Sequence, residues 1–314
     1  SESITVTIVD DKVVELDESF TIDLADASVD AGGRNVHTGS AGTNANDADV
    51  SSTVTIENND AVTVNITAAA SAPEDASDTQ DFTVTLLDGG DNSTTVDVAF
   101  DVTYVITDST TEDEDWNPNA GNTGSITFTV GSLTQTFSID ILDDLIVELD
   151  EEVYATITLG DVSSHSVTAG IVNATYTIDD DDAATLVIDD ILVSQNEDDG
   201  DYNHTISFAE LGVTTDIDLN FDITRIDAGL FDGLDENSIG NPTLIAGNTN
   251  TLLTVSPEAD VIVEQDENYE YQLTALDAAT LSALGSRAIT ISGSEDVGSM
   301  TITNDDTTIL SISA

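Results

Sequence analysis

Residues 143–159 read Asp143-Asp144-Leu145-Ile146-Val147-Glu148-Leu149-Asp150-Glu151-Glu152-Val153-Tyr154-Ala155-Thr156-Ile157-Thr158-Leu159. The second half, from Tyr154 to Leu159, mixes apolar residues and threonine at a period near two. That is the pattern of a strand with one buried face. The same alternation recurs at residues 4–8, 96–100, 126–130 and 217–223. The segments are short and bounded by Gly, Asn and Asp, which predicts an all-β sandwich. Helical spacing is rare. Residues 275–284 are the best candidate, open between a helix and a loop.

The first half of the stretch is a motif with two other copies. Asp10-Asp11-Lys12-Val13-Val14-Glu15-Leu16-Asp17-Glu18 precedes it, and the looser Ala259-Asp260-Val261-Ile262-Val263-Glu264-Gln265-Asp266-Glu267 follows. A second motif closes each unit: Ile56-Glu57-Asn58-Asn59-Asp60, Ile178-Asp179-Asp180-Asp181-Asp182 and Ile302-Thr303-Asn304-Asp305-Asp306. The closing copies stand 122 and 124 residues apart, a common length for one domain. The repeats predict complete units at 61–182 and 183–306, the second half of a unit at 1–60, and the first strand of a further unit at 307–314. Both ends then fall inside the repeat, so the reading expects a stretch of a longer array. A subunit completed by a strand from a neighbour is the rival.

Composition narrows the function. The 314 residues carry 63 Asp and Glu against 4 Lys and Arg, a formal charge of −59. Nucleic acid is excluded as an expected partner because phosphate binding needs clustered cations, and docking on anionic lipid is disfavoured. No apolar run reaches the ~18 residues of a membrane span. With no Cys, disulfides and thiolate zinc sites are excluded, and three His leave little room for His-dependent catalysis. Hydrophobic residues make up 39%, enough to bury a core, so the surface must be almost wholly acidic. Such a surface repels itself unless cations offset it.

Residues 143–152 hold six carboxylates around Leu145-Ile146-Val147, and residues 179–182 are four consecutive Asp. With so few basic residues, a bound cation is the expected partner. Oxygen ligands without His or Cys select Ca²⁺.

An Asp-Asp, an apolar run, Glu-x-Asp-Glu, and a later strand ending in Asp-Asp-Asp resemble the Calx-beta domain family. The resemblance implies tandem immunoglobulin-like antiparallel β-sandwiches of seven or eight strands that bind calcium. It spans both complete units and the partial first one. The ligands it implies in unit 61–182 are Glu74, Asp115, Asp144, Glu148, Glu151, Asp180, Asp181 and Asp182. In unit 183–306 they are Glu197, Asp260, Glu264, Glu267, Asp305 and Asp306, with Asp232 or Asp235 for the mid-domain position and Asn304 in place of an acid. In the half-unit they are Asp11, Glu15, Glu18 and Asp60, with Asn58 and Asn59 in place of acids. Unit 61–182 should therefore bind most tightly or bind most ions. Scattered acids such as Asp26, Asp30, Asp47 and Asp49 read as solvated surface.

Other matches carry less. The run from Asp113 resembles the start of an EF-hand, but Pro118 interrupts it and Gly124 stands where the closing Glu belongs. Gly89-Gly90-Asp91-Asn92 reads as a hairpin turn. The three His read as surface or strand residues, and Trp116 and Tyr154 as core aromatics. Sequons at Asn65, Asn92, Asn173 and Asn203 leave glycosylation open. The expected function is a non-enzymatic, extracellular, calcium-stiffened stalk or filament segment of a large bacterial surface protein. Its partners would be neighbouring domains of its own chain, and lateral or end-to-end copies in a filament. A calcium-sensing module and a pilus-like or sheath subunit assembled by strand exchange are the alternatives.

Overall fold

The computed structural model describes residues 3–24, 50–76, 79–90, 92–108, 115–118, 121–189, 193–227 and 236–312, and every structural statement below concerns these. Alternation becomes burial in the way the sequence predicts. In Phe100–Asp108 the side chains of Phe100, Val102, Tyr104 and Ile106 are buried, while Asp101, Thr103, Val105 and residue 107 face solvent. In Thr79–Leu87, Phe82, Val84 and Leu86 point inward.

Ten such segments build the first sandwich. One sheet runs in the order Thr123–Phe128, Phe100–Asp108, Glu151–Leu159, Asn173–Asp179, Ser71–Pro73. The facing sheet runs Val167–Ala169, Val62–Thr67, Thr79–Leu87, Thr134–Ile141, Trp116–Pro118. Aromatic rings fill the space between them: Tyr104 and Phe137 stack with centroids 4.0 Å apart, and Phe100 and Phe128 at 5.2 Å. The second sandwich repeats this topology. One sheet runs Thr243–Leu244, Leu219–Asp227, Glu267–Leu276, Val297–Thr303, Val193–Asn196, and the other Ala288–Ile291, Ala183–Ile188, Tyr202–Phe208, Asn250–Pro257, Glu236–Ile239.

The sheets are not purely antiparallel. In both sandwiches the first strand is split between the two sheets. Val62–Thr67 lies parallel to Val167–Ala169, and the chain then crosses so that Ser71–Pro73 lies parallel to Asn173–Asp179. Ala183–Ile188 and Val193–Asn196 divide in the same way. The crossing carries the chain straight into a single 3₁₀ turn, Glu74–Ala76 or Glu197–Asp199, beside the end of the last strand.

Some expectations are corrected and others hold. Residues 3–11 form no strand, and Ile4, Val6 and Ile8 are exposed, because no described strand pairs with them. Tyr154 lies on the outer face of its strand and donates to Glu152, while its neighbours Val153 and Ala155 enter the core. Trp116 is buried as predicted. His165 is buried in a turn with Nε2 2.6 Å from Asp97, and His204 is buried in a strand with Nδ1 3.1 Å from Asp189. Within 275–284, Ala278–Ala283 is a short helix whose first turn is capped by Asp277, which accepts from Thr280 N at 2.7 Å. Asp88 accepts backbone N–H bonds from Gly90 and Asn92, closing the hairpin turn read from the sequence. Asn65 is buried and its carboxamide oxygen accepts from Ile171 N at 2.7 Å, so this sequon is closed to a glycan.

The units meet through their repeated motif. Ile146–Val147 pairs in parallel with Thr214–Thr215, and Val147 is a member of the second sandwich's core, not the first's. Thr214 N donates to Leu145 O at 2.9 Å and Thr215 Oγ1 to Val147 O at 3.2 Å. Val13–Val14 pairs with Thr95–Val96 in the same manner, and Val14 sits in the core of the first sandwich.

Candidate metal centre

Backbone hydrogen bonds hold the two acidic motifs against each other. Asp180 N donates to Asp150 Oδ1 at 3.2 Å, Asn304 N to Asp266 at 3.3 Å and Asn58 N to Asp17 at 2.9 Å. The Asp of Glu-x-Asp-Glu in each opening motif therefore clamps the third residue of each closing motif. The second residue of each opening motif forms a turn: Asp144 Oδ1 accepts from Ile146 N at 2.7 Å, Asp260 from Ile262 N at 2.6 Å, and Asp11 from Val13 N at 2.9 Å. Within the closing motif, Asp182 N donates to Asp180 Oδ1, and Asp306 N and Asp60 N donate to Asn304 and Asn58. Asn replaces Asp as an acceptor here without loss, which is why the fold tolerates it at that position.

These contacts gather carboxylates at one end of each sandwich. Glu74, Asp144 and Asp182 form one group and Asp115, Glu148 and Glu151 a second, each offering oxygens within 4.8 Å of one another. Glu197, Asp260 and Asp306 form the counterpart of the first group in the second sandwich. All nine belong to the set implied by the sequence. Glu74 comes from the turn after the crossing strand, Asp115 from the edge strand's start, and Asp182 from the close of the last strand.

The remaining candidates are placed differently. Asp180 accepts from Glu148 N and lies between the two groups of the first sandwich. Asp181 faces Asp75 instead. Asp305 bonds to Glu197, and buried Glu267 accepts from Tyr269 Oη. Glu264 has both carboxylate oxygens buried without a hydrogen-bond partner. Asp232 and Asp235 lie outside the described residues, as do Asp26, Asp30, Asp47, Asp49, Asp113 and His37. Asp11, Glu15, Glu18 and Asp60 join no group of three among the described residues. Among the described residues of 1–60 there is no counterpart of the crossing turn or of Asp115.

The electrostatics are those of anions without countercharge. Burial first, then Asp144, Asp180 and Asp182, push the Glu74 carboxyl up to about 8. Burial, then Glu151 and Asp144, push Glu148 up to about 8. Asp115 is raised by burial and by its contact with Glu151, and Glu197 reaches about 7 through burial and the neighbouring Asp260 and Asp306. Among the described residues the chain's own cations are engaged elsewhere: Lys12 with Asp88, Arg287 with Asp216, and Arg225 over the Tyr269 ring. Glu74 Oε1, Asp182 Oδ2, Glu197 Oε1 and Asp306 Oδ2 are buried without a hydrogen-bond partner. A buried carboxylate oxygen left unpartnered is costly unless a charge meets it. The donor set is all oxygen, which fits a hard divalent cation of calcium's kind.

A pH dependence follows for the chelated protein. Glu74 and Glu148 stand well above their ordinary value of 4.5, so the folded chain holds more protons than the unfolded one between that value and about 8. Their contribution is present below 4.5 and is lost as pH rises through about 8. Thermal melts in chelator should therefore give a Tm that falls across this window. A flat or rising profile would contradict the assignment.

The family model for the Calx-beta domain matches residues 1–49 and 57–190, more than half of the chain. No curated protein matches the sequence. Among solved structures, CBD12 from CALX1.2 is 14% identical over 76% of this chain and 99% of its own, with a TM-score of 0.34. The apo-form Calx CBD1 domain is 21% identical over 39% and 100%, with a TM-score of 0.31. The Yersinia pseudotuberculosis adhesin InvE is 13% identical over 77% and 58%, with a TM-score of 0.30.

Proposed function

The chain belongs to the Calx-beta domain family, and from that premise we propose that it is a calcium-binding structural array, a stalk or filament segment of a large extracellular surface protein. The observation that carries the reading is the position of the candidate ligands around the junction. Asp144 and Glu148 directly flank Leu145-Ile146-Val147, the run that packs into the next sandwich. Calcium at these groups would hold both flanks of the run and fix how one unit meets the next. Glu74, Asp144 and Asp182 would hold one ion, Asp115, Glu148 and Glu151 another, and Glu197, Asp260 and Asp306 a third. The ion would supply the positive charge that Lys and Arg do not. None of these residues is assigned a catalytic role. Extracellular modules bind calcium in the ~10⁻⁴–10⁻³ M range, which suits the proposed location.

Small-angle scattering with and without chelator tests this. Chelation should broaden the distance distribution and shift its maximum, because the junction loosens while each sandwich stays folded. An unchanged profile would sink the proposed stiffening. A cooperative, sub-micromolar calcium titration would favour a sensor instead.

A further inference from the structure

The opening motif's apolar run occurs three times, and its surroundings differ in one copy. Its last residue is Val14, Val147 or Val263. Val14 and Val147 are 0% exposed, each sunk into the core of the sandwich that follows it, whereas Val263 is 49% exposed. The preceding residues follow suit. Val13 and Ile146 are part of two-residue parallel ladders, while Val261 and Ile262 belong to no strand and stand exposed. The local fold of the third copy is nonetheless that of the others, since Asp260 and Asp266 make the same turn and clamp. The run is therefore shaped for docking, and among the described residues no strand pairs with it.

We propose that Val261-Ile262-Val263 is a docking peg, and that its occupant is the acceptor edge of another Calx-beta sandwich, joined head to tail. The two filled junctions define that acceptor. In the first sandwich it is Thr94-Thr95-Val96-Asp97: Thr95 and Val96 form the ladder, the Thr94 hydroxyl donates to Lys12 O, and Asp97 N donates to Val14 O at 3.2 Å. In the second it is Val213-Thr214-Thr215-Asp216. Gly212 and Gly285 border it, and a Cβ on Gly285, already at φ +60°, would lie 2.8 Å from Leu149. The acidic end of each acceptor is held from its own sandwich, Asp97 by a hydrogen-bond contact with His165 and Asp216 by an ion pair with Arg287. The peg enters by backbone pairing and one buried valine, a small apolar anchor, so the contact does not depend on charge attraction between two acidic surfaces. A peg at one end and an acceptor at the other make a heterologous contact that propagates along a line.

The chain itself supplies the test. Among the described residues of 1–60 only Val14 enters the core of the first sandwich, so the fragment 61–314 keeps the second core whole and all of the first but that side chain. Removing residues 1–60 empties the Thr94–Asp97 acceptor while Val261–Val263 stays free. In calcium-containing buffer, sedimentation velocity should show this fragment forming concentration-dependent head-to-tail oligomers. The full chain, whose acceptor is filled by its own residues 12–14, should remain monomeric. Val263→Ser in the fragment should weaken association at least tenfold at an unchanged Tm, because the residue is exposed in the free chain. A monomeric fragment, association unaffected by Val263→Ser, or equal association of the full chain would each overturn the proposal.

Discussion

Saturating calcium is expected to raise the unfolding temperature of the first sandwich by about 10–20 °C over the chelated protein. The first sandwich brings together two carboxylate groups, Glu74 with Asp144 and Asp182, and Asp115 with Glu148 and Glu151. A ligand that binds only the folded state at ~100 times its dissociation constant adds about 2.7 kcal/mol per site. Two sites then add roughly 5 kcal/mol, which for a domain of this size corresponds to a shift of that order. The second sandwich brings together one such group among the described residues, so its shift should be smaller. Glu148→Gln distinguishes specific binding from general screening of a −59 chain. In chelator the variant should melt higher than the parent, because the cost of burying an ionisable carboxyl beside Glu151 and Asp144 is gone. In calcium its gain should shrink by half or more. Equal stabilisation by sodium at matched ionic strength, or an unaltered calcium response in the variant, would refute the metal centre.

The acids of the two repeated motifs were legible because repetition marks them, whereas Glu74, Asp115 and Glu197 entered only through the family resemblance. An acidic cluster met once is indistinguishable from solvated surface; met at the same place in successive units it demands a local cause. The physical cause is the clamp between Asp150 and Asp180, with its counterparts at Asp266 and Asp17, which forces the two motifs together. Sequence reading left Asp150, Asp266 and Asp17 out of the functional set. Their signal was present as the Asp of Glu-x-Asp-Glu, but an Asp that accepts a backbone bond looks like one that accepts a metal. The split first strand was not legible either. Both parts are short and apolar enough to enter a sheet, and the choice of sheet depends on partners more than a hundred residues away. Tyr154 was misread because an aromatic in an alternating segment looks inward, and the true phase is set by Val153 and Ala155. The apolar run was recognised as apolar, but hydrophobicity does not say which core a side chain joins.

That last point yields the second large effect. Val147→Asp should destabilise the sandwich that does not contain it in sequence. Val147 follows the first sandwich's Asp144, yet its side chain is a member of the second sandwich's core, beside the ladder with Thr214 and Thr215. Asp cannot remain there: it would bury a carboxylate near Glu148 and Asp216, already close enough to each other to raise Glu148. The least costly response is withdrawal of the whole run, because residues 145–147 belong to a surface segment and no sheet of their own sandwich depends on them. The second core then loses the burial of one valine, about 1.5–3 kcal/mol, and its Tm should drop by roughly 5–15 °C. The first sandwich should keep its own transition, since Val147 adds nothing to its core. Differential scanning calorimetry reads both transitions, and limited proteolysis at residues 143–150 reads the released junction as faster cleavage. A drop confined to the first sandwich, or equal in both, would mean that Val147 acts through its own unit's metal groups and not through the neighbour it enters.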